Sequence, residues 1–473
     1  MTADDTSPNT PKTESRRSKP GGKSAGAPGT KPVQASDKPG LDVRMAAAKI
    51  LAAVIDKKTP LDGMLDAGHG NPAYRALSDA DRALVRAILN TTLRHLPRIE
   101  KSLSLMLDKP LPEGARALQH VLTTAAAQIL YLDVPSHAAV DLAVEQANRD
   151  PRNRRFAKLV NALLRRMVRE RDAILAASEA ILPVPGWFHA RLVKAYGEAE
   201  ARRIAEAQLT PAPIDLTVKA DPALWAERLN ARLLPTGSLR LAAFEGSVAA
   251  LPGFSEGVWW VQDAAASLPA RLFGPLAGKR IADLCAAPGG KTAQLAVLGA
   301  EVIAIEQSAN RAERLKENLA RLSLPAEVLN IDLFAYRPDE LLDGVLLDAP
   351  CSSTGTTRRH PDVLWTKSMK DIEKLAELQG RMLRHALTLV KPGGLVVFSN
   401  CSLDPLEGED LVAALLKENP AVERVPARRE DWPGLEEAIS PAGDFRTTPA
   451  MIAPDEGYAG GMDGFFACTL RRR

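Results

Sequence analysis

The sequence predicts a multidomain protein with an all-α N-terminal domain, a small α/β connecting subdomain and a C-terminal α/β domain built on a doubly wound parallel sheet. Three observations carry the prediction. From Val43 to about Ala177 apolar residues recur at helical spacing, and no strand-like alternation interrupts them. From Val258 onward short apolar strands alternate with helical stretches. At 473 residues the chain is long enough for two or three domains.

Residues 1–40 are rich in Pro, Gly, Ser, Thr and Lys and nearly free of large apolar side chains. Such a segment cannot offset the entropy of ordering, so a disordered, mildly basic tail is expected. It reads as a solvated extension, with a phosphate-touching arm as the alternative. The helical domain is expected over 41–177. Ile50, Leu51, Val54 and Ile55 form one apolar face, and Leu84, Val85, Ile88 and Leu89 form another. Ser78 before Asp79 and Asp81 reads as an N-cap with an acidic first turn. Further helices are expected over Ala117 to Leu132, Ala138 to Ala147 and Phe156 to Val168. The end of this domain is basic: Arg149, Arg152, Arg154, Arg155, Lys158, Arg165, Arg166 and Arg169, with Asp150 and Glu170 as the nearby acids. Such a run is either a solvated face or a phosphate grip. The excess of Arg favours the grip, because the guanidinium fork matches phosphate oxygens.

The connecting subdomain, 178–258, is punctuated by Pro183, Pro185, Pro211 and Pro213. Ile214 to Val218 suggests a strand. Pro222 to Leu234 suggests a helix with Asp221 as its N-cap and Pro222 at its first position.

Bulk properties exclude several classes. Apolar residues make up 45% of the chain, yet no apolar run is long enough to cross a bilayer. The net charge of +3 says little about partners. The cysteines are Cys285, Cys351, Cys401 and Cys468, too far apart for a CxxC metal knuckle. No apolar h-region opens the chain. A reduced, cytoplasmic protein is expected, with no metal and no membrane partner.

The domain over 259–473 carries the chemistry. Its strands are expected at Ile281 to Cys285, Val302 to Ile305, Val328 to Ile331, Val345 to Leu347 and Leu395 to Phe398, with helices at Asn310 to Leu322 and Met369 to Leu389. Ligands in such sheets bind beyond the carboxyl ends of the strands. After the first strand runs Asp283-Leu284-Cys285-Ala286-Ala287-Pro288-Gly289-Gly290-Lys291-Thr292. A P-loop would need glycine where Cys285 stands, so this is instead a small-residue turn that lets a ligand approach the backbone. Glu306 follows the second strand, about 20 residues on, where an acid suits ribose hydroxyls. Asp332 follows the third strand, where it could bond an adenine amino group. Each alone could be a surface acid or a helix cap. Together, beside that loop, they favour a bound adenosyl group. The fourth strand leads into Asp348-Ala349-Pro350-Cys351-Ser352-Ser353-Thr354-Gly355 and Arg358-Arg359-His360-Pro361-Asp362, and the fifth into Ser399-Asn400-Cys401-Ser402. Two cysteines at the ends of adjacent strands point at one cleft. Cys468, in an apolar C-terminal strand, reads as core.

These motifs, in this order, resemble the bacterial Sun/Fmu-type ribosomal RNA cytosine-5 methyltransferases. Gln262-Asp263 and Met462-Asp463-Gly464-Phe465-Phe466 match as well. In the helical part, Asp81-Arg82, Val134-Pro135 and Asn161-Ala162-Leu163-Leu164-Arg165-Arg166 are similar to the NusB-like RNA-binding domain of that family. The resemblance runs from about residue 43 to the end. It implies a Rossmann-like methyltransferase domain, S-adenosyl-L-methionine as cofactor, ribosomal RNA as partner and a monomer. It assigns Cys401 as the nucleophile, Cys351 to product release and Asp348 to cytosine N3. The cofactor would lie against Cys285, Ala286, Ala287, Pro288, Gly289, Gly290 and Lys291, bordered by Glu306, Asp332 and Asp348. Arg149, Arg152, Arg154, Arg155, Lys158, Arg165 and Arg166 would meet RNA. Three departures stand out: Asn400 where Thr is usual, Glu306 where Asp is usual, and no Arg in Ile214 to Lys219.

Two other readings are compatible with parts of the pattern. One is an RNA-binding protein with an inactive methyltransferase fold, which the presence of Cys351, Cys401 and Asp348 opposes. The other is an adenine N-methyltransferase. That reading expects Asn/Asp-Pro-Pro-aromatic after the fourth strand, where this chain has Asp348-Ala349-Pro350-Cys351.

Overall fold

The computed structural model describes residues 38–243 and 246–473, so the reading of the tail falls almost wholly outside the described residues. Helices at Leu41–Lys57, Asp79–Arg94, Leu96–Met106, Arg116–Tyr131, Ser136–Arg149 and Ala157–Arg169 follow the apolar spacing. Arg116–Tyr131 is their hub. Its Leu118, Leu122, Ala126, Ile129 and Leu130 are buried because the other helices surround it. Ser78 caps as its sequence position predicts, with Oγ accepting the Asp81 N–H at 3.2 Å.

Two helices, Gly186–Tyr196 and Glu198–Ala207, lead into an antiparallel sheet of β1 (Asp215–Val218), β2 (Ala231–Leu233), β3 (Leu239–Leu241) and β4 (Trp259–Val261), in the order β2-β3-β1-β4. The helix expected over Pro222 to Leu234 is shorter, ending at Arg228. Asn230 takes a positive φ of 47°, which reverses the chain so that Ala231–Leu233 can pair with β3 around Thr236 and Gly237. Asp221 does not cap that helix: its φ of 51° is left-handed and its side chain makes no capping bond.

Among the described residues the third region holds β5 (Arg280–Leu284), β6 (Glu301–Ile305), β7 (Glu327–Leu329), β8 (Leu342–Asp348), β9 (Val390–Asn400), β10 (Val422–Val425), β11 (Phe445–Thr447) and β12 (Phe465–Arg472). Their order is β10-β12-β9-β8-β5-β6-β7, with β11 beside β12. The strands from β5 to β9 are parallel. The sheet as a whole is mixed rather than parallel throughout, because β12 returns antiparallel to β9 and pairs with β10 and β11. Helices Ala309–Leu322 and Met369–Leu389 cover its faces, the second opened by a capping box of Ser368 and Asp371. Its core joins Leu284, Leu347, Phe398, Phe466 and Cys468, the last 1% exposed as a core cysteine should be. The order reverses between β5 and β8, and a crevice opens beyond the carboxyl ends of such strands.

The segment from Arg358 to Thr366, after β8, docks on the helical region. Trp365 Nε1 donates to the Leu93 carbonyl at 3.0 Å, and the Leu61 N–H donates to Asp362 Oδ2 at 3.0 Å. Buried Arg94 donates to the carbonyls of Gln208 at 2.9 Å and Arg358 at 2.6 Å. Among the described residues no helix is long and apolar enough to cross a membrane. No group of three or more His, Cys, Asp or Glu among them could hold a metal ion.

Candidate active site

The turn after β5 is shaped by two left-handed positions. Cys285 has φ 70° and Gly289 has φ 107°. A Cβ on Gly289 would also lie 2.6 Å from Leu315 Cδ1, so the turn packs tightly on the helix behind it. Thr292 Oγ1 donates to Asp283 Oδ2 at 2.6 Å. Asp283 is 1% exposed, and burial pushes its carboxyl up to about 7. Gln262, next to Gly290, ties this turn to the antiparallel sheet. Its Oε1 accepts from Trp260 Nε1 at 2.9 Å and Thr217 Oγ1 at 2.8 Å, and its Nε2 donates to Gln294 Oε1 at 2.7 Å.

A cavity of about 560 Å³ opens here. All seven residues from Cys285 to Lys291 line it, together with Asp348, Trp260, Asp263, Arg359, His360 and Asp463. Glu306 and Asp332 are not in its wall. Glu306 follows β6 in a buried position, with Oε1 accepting the Ser308 N–H at 2.9 Å and Oε2 lying 3.3 Å from Arg311 Nη1. Asp332 is exposed, and its Oδ1 caps the short turn Leu333–Ala335 through the Phe334 N–H at 2.9 Å.

Topology brings the two strand-end cysteines together. Cys351 follows β8, Cys401 follows the neighbouring β9, and their sulfurs are 3.4 Å apart. Asp348 closes β8, with Lys291 Nζ 2.8 Å from Oδ2 and Ser399 Oγ donating to Oδ1 at 2.9 Å. The thiols are electrostatically distinct. The hydrogen bond to Cys401, then burial, raises Cys351 well above the usual thiol range. Burial, reinforced by the charges of Asp348, Asp283 and Glu306, pushes Cys285 up to about 12, so that thiol stays protonated and acts as lining.

Arg359 is clamped between two carboxylates, donating to Asp263 Oδ2 at 2.5 Å and to Asp463 Oδ2 at 3.3 Å. The sequence carries these residues inside its motifs without revealing that they meet. It gives no signal for Glu407, whose buried carboxylate accepts the Ser352 N–H next to Cys351 although its neighbours Glu409 and Asp410 suggest a solvated helix start. Asn400 bridges rather than merely substitutes: Nδ2 donates to the Glu407 carbonyl at 2.5 Å and Oδ1 accepts the Ser402 N–H at 3.0 Å.

The basic run lies far from this pattern of burial. Arg149, Arg152, Arg154, Arg155, Lys158, Arg165, Arg166 and Arg169 are all exposed. Folding brings more acids to them than the sequence spacing suggests. Arg149 pairs with Glu145 at 3.0 Å, Arg165 lies 4.0 Å from Asp141, Arg152 pairs with Asp150 at 3.3 Å and Arg166 with Glu170 at 3.0 Å.

Comparisons with known proteins agree with this architecture. The family model described as 16S rRNA methyltransferase RsmB/F matches residues 270–471, and the NusB family model matches residues 41–169. Ribosomal RNA small subunit methyltransferase B of Vibrio vulnificus is 36% identical over 460 residues, covering 91% of this chain and 99% of its own. The same-named protein of Shewanella oneidensis is 36% identical over 390 residues, covering 80% of this chain and 90% of its own. Among solved structures, PH0851 matches with a TM-score of 0.68 over 92% of this chain and 100% of its own, at 21% identity, which shows the shared fold. A methyltransferase homologue from Pyrococcus horikoshii matches with a TM-score of 0.51 at 28% identity, over 60% of this chain and 94% of its own. With cavity, thiol pair and helical domain in place, and relatives matched over nearly their full length, this chain belongs to the ribosomal RNA small subunit methyltransferase B family.

Proposed function

We propose that the chain methylates C5 of a cytosine in small-subunit ribosomal RNA, using S-adenosyl-L-methionine and a covalent adduct between Cys401 and C6. The observation that carries this reading is the thiol pair, 3.4 Å apart at the ends of β8 and β9, with Asp348, paired to Lys291, closing β8. Cytosine C5 is too weak a nucleophile to be methylated unaided. Addition of a thiolate to C6 turns the ring into an enamine and makes C5 nucleophilic.

The residues present fit the cofactor. Asp283 Oδ1, near the carboxyl end of β5, is a buried carboxylate oxygen that accepts no hydrogen bond, and Glu306, just past β6, is a buried acid whose Oε2 has only the exposed Arg311 near it, at 3.3 Å. Buried acceptors of this kind call for donors such as an ammonium or ribose hydroxyls. Cys285 to Lys291 would lie along the cofactor, Glu306 would meet the ribose and Asp332 the adenine amino group. The bound cofactor supplies the methyl group.

The chain's own residues do the rest. Cys401 attacks C6, and the electron pair of the C5–C6 double bond moves into the ring toward N3. Asp348 passes a proton to N3, neutralising the charge that builds there, and the Lys291 cation beside it stabilises the carboxylate left behind. A solvent base then takes the C5 proton, the C5–H electron pair re-forms the C5–C6 double bond, the S–C6 pair returns to Cys401 as thiolate, and Cys351 assists that release. Such a pocket admits a base only when it is unpaired or flipped. Arg149, Arg152, Arg154, Arg155, Lys158, Arg165 and Arg166 would grip the RNA through its phosphates.

A denaturing gel with labelled RNA and cofactor tests the reading. Cys401→Ala should lose activity and form no adduct, whereas Cys351→Ala should accumulate a protein–RNA adduct. A shifted band with Cys401→Ala alone would reverse the roles. Activity kept by Cys401→Ala would overturn the covalent route.

A further inference from the structure

A single buried acid holds both thiol loops. Glu407 Oε1 accepts the Ser352 N–H at 2.9 Å and Gln379 Nε2 at 2.9 Å, and Oε2 accepts Ser352 Oγ at 2.5 Å. Its main-chain carbonyl takes Asn400 Nδ2. Gln379 Nε2 also holds the Pro350 carbonyl at 2.9 Å. Glu407 therefore grips the residue after Cys351, the residue before Cys401 and, through Gln379, the residue before Cys351. Ser402, after Cys401, joins through Ser352 Oγ at 3.1 Å.

The electrostatics of this clamp are lopsided. Glu407 is 0% exposed, and among the described residues no Lys, Arg or His forms an ion pair with it. Burial raises its carboxyl, while the donors from Ser352, Ser402 and Gln379 favour the charged form. The neighbouring charges are spoken for: Arg446 pairs with Glu409 at 2.6 Å, and Arg191 with Asp404 at 2.6 Å. The Glu407 charge is felt at Cys351, where it opposes a second negative charge in a dry site.

We propose that Glu407 is a positioning residue that keeps the proton on Cys351, so that Cys401 is the thiolate of the pair; this rests on the covalent reading above. The Cys351 S–H then donates to the Cys401 sulfur. During attack the Cys401 lone pair forms the S–C6 bond and no proton leaves Cys351. Bond formation turns the Cys401 thiolate into a neutral thioether, a much weaker acceptor for the Cys351 proton.

Site-resolved alkylation by iodoacetamide, read by mass spectrometry across pH on the full chain without RNA or cofactor, tests this. The rate-against-pH midpoint separates ionisation from access. In the unmodified protein Cys401 should reach its midpoint at lower pH than Cys351. Glu407→Gln keeps the shape and removes the charge. It should lower the Cys351 midpoint by about one unit, roughly a tenfold gain in its thiolate fraction. It should also lower kcat while leaving KM for RNA in place. Glu407→Asp, which keeps the charge, should restore the order. Cys351 ionising first in the unmodified protein would overturn the proposal, whether or not the variants fold. So would unmoved midpoints in a folded Glu407→Gln protein. Failure of the covalent reading shows elsewhere, as activity retained by Cys401→Ala.

Discussion

The thiol cluster and the basic run are both groups of reactive or charged residues, and the fold treats them in opposite ways. Cys351 and Cys401 are 50 residues apart in sequence and meet because β8 and β9 are neighbours. Every residue flanking them is held by Glu407, Gln379 or Ser352, and Ser352, Asn400 and Ser402 are buried. The basic run is contiguous in sequence and stays in water, with much of its charge opposed by acids of the same helices. Electrostatic effects are strong where solvent is excluded and weak where it is not. Single substitutions should therefore act sharply in the first region and diffusely in the second.

Apart from the cysteines themselves, the sharpest should be Lys291→Met. The ammonium is 11% exposed and 2.8 Å from Asp348 Oδ2. Losing a preorganised charge aimed at the reacting ring should lower kcat by about 10²–10³-fold. Single-turnover methylation measures this, and a change confined to KM would mean that Lys291 serves binding only.

Next in size is Arg94→Ala, which blurs the line between the two regions. Arg94 belongs to the helical region yet donates two buried hydrogen bonds, one to the Arg358 carbonyl. Arg359, the next residue, lines the cavity. We expect a loss of roughly 2–4 kcal/mol in denaturant unfolding, since each charge-assisted bond contributes about 1.5–3 kcal/mol. Methylation should fall in protein that remains folded. Full activity with lowered stability would show that the helical region touches the site without shaping it.

The basic run sets up an internal comparison. Arg154 donates to the Asn148 carbonyl, and Arg155 lies over the Phe156 ring at 4.7 Å. Neither charge is cancelled in that way, whereas Arg149, Arg152 and Arg166 face carboxylates. Alanine at Arg154 and Arg155 should therefore reduce the salt dependence of RNA binding, by about 0.7–0.9 in log–log slope for each phosphate left without its cation. Alanine at the acid-paired arginines should change it less. Equal slopes in both sets would remove the run as the RNA grip.

Much of the fold is legible in the sequence, for physical reasons that differ by element. Met369–Leu389 and the strands from β5 to β9 are readable because one repeating pattern, helical spacing or a short apolar run, fixes each locally. The β2 strand is hidden because Ala231-Arg232-Leu233 continues a helical pattern until Asn230 turns left-handed, a choice made by pairing with β3. The antiparallel return of β12 is likewise a tertiary fact. In the site, Cys351 and Cys401 are readable from strand ends. Glu407 is not, because an acid looks solvated until the fold buries it. Asp332 is ambiguous for another reason, since a cap and a ligand acid look alike in sequence, and its Oδ1 does cap a turn.

The smallest effect belongs to the link between the two regions through His360 and Asp62. His360 Nδ1 is 3.3 Å from Asp62 Oδ1, at the edge of the cavity. The hydrogen bond that His360 donates to Asp62 raises His360 above its ordinary 6.5, with Asp362 and Asp463 adding in the same direction. The reciprocal bond holds Asp62 below its ordinary 3.8. A raised His contributes stability that is fully present below its unfolded pKa and is lost as pH rises through the folded value. A lowered Asp contributes stability that is present above its unfolded pKa and is lost as pH falls through the folded value. The two windows overlap between about 3.8 and 6.5, the ordinary values of the two groups. Asp62→Asn should therefore differ most from the unmodified protein inside that range. The difference should be within ~1 kcal/mol because the Asp62 side chain is 77% exposed, and it should fade as pH rises beyond the window. Unfolding midpoints measured across pH for both proteins check this. A difference that grows toward alkaline pH would mean that the pair is held by shape and not by charge.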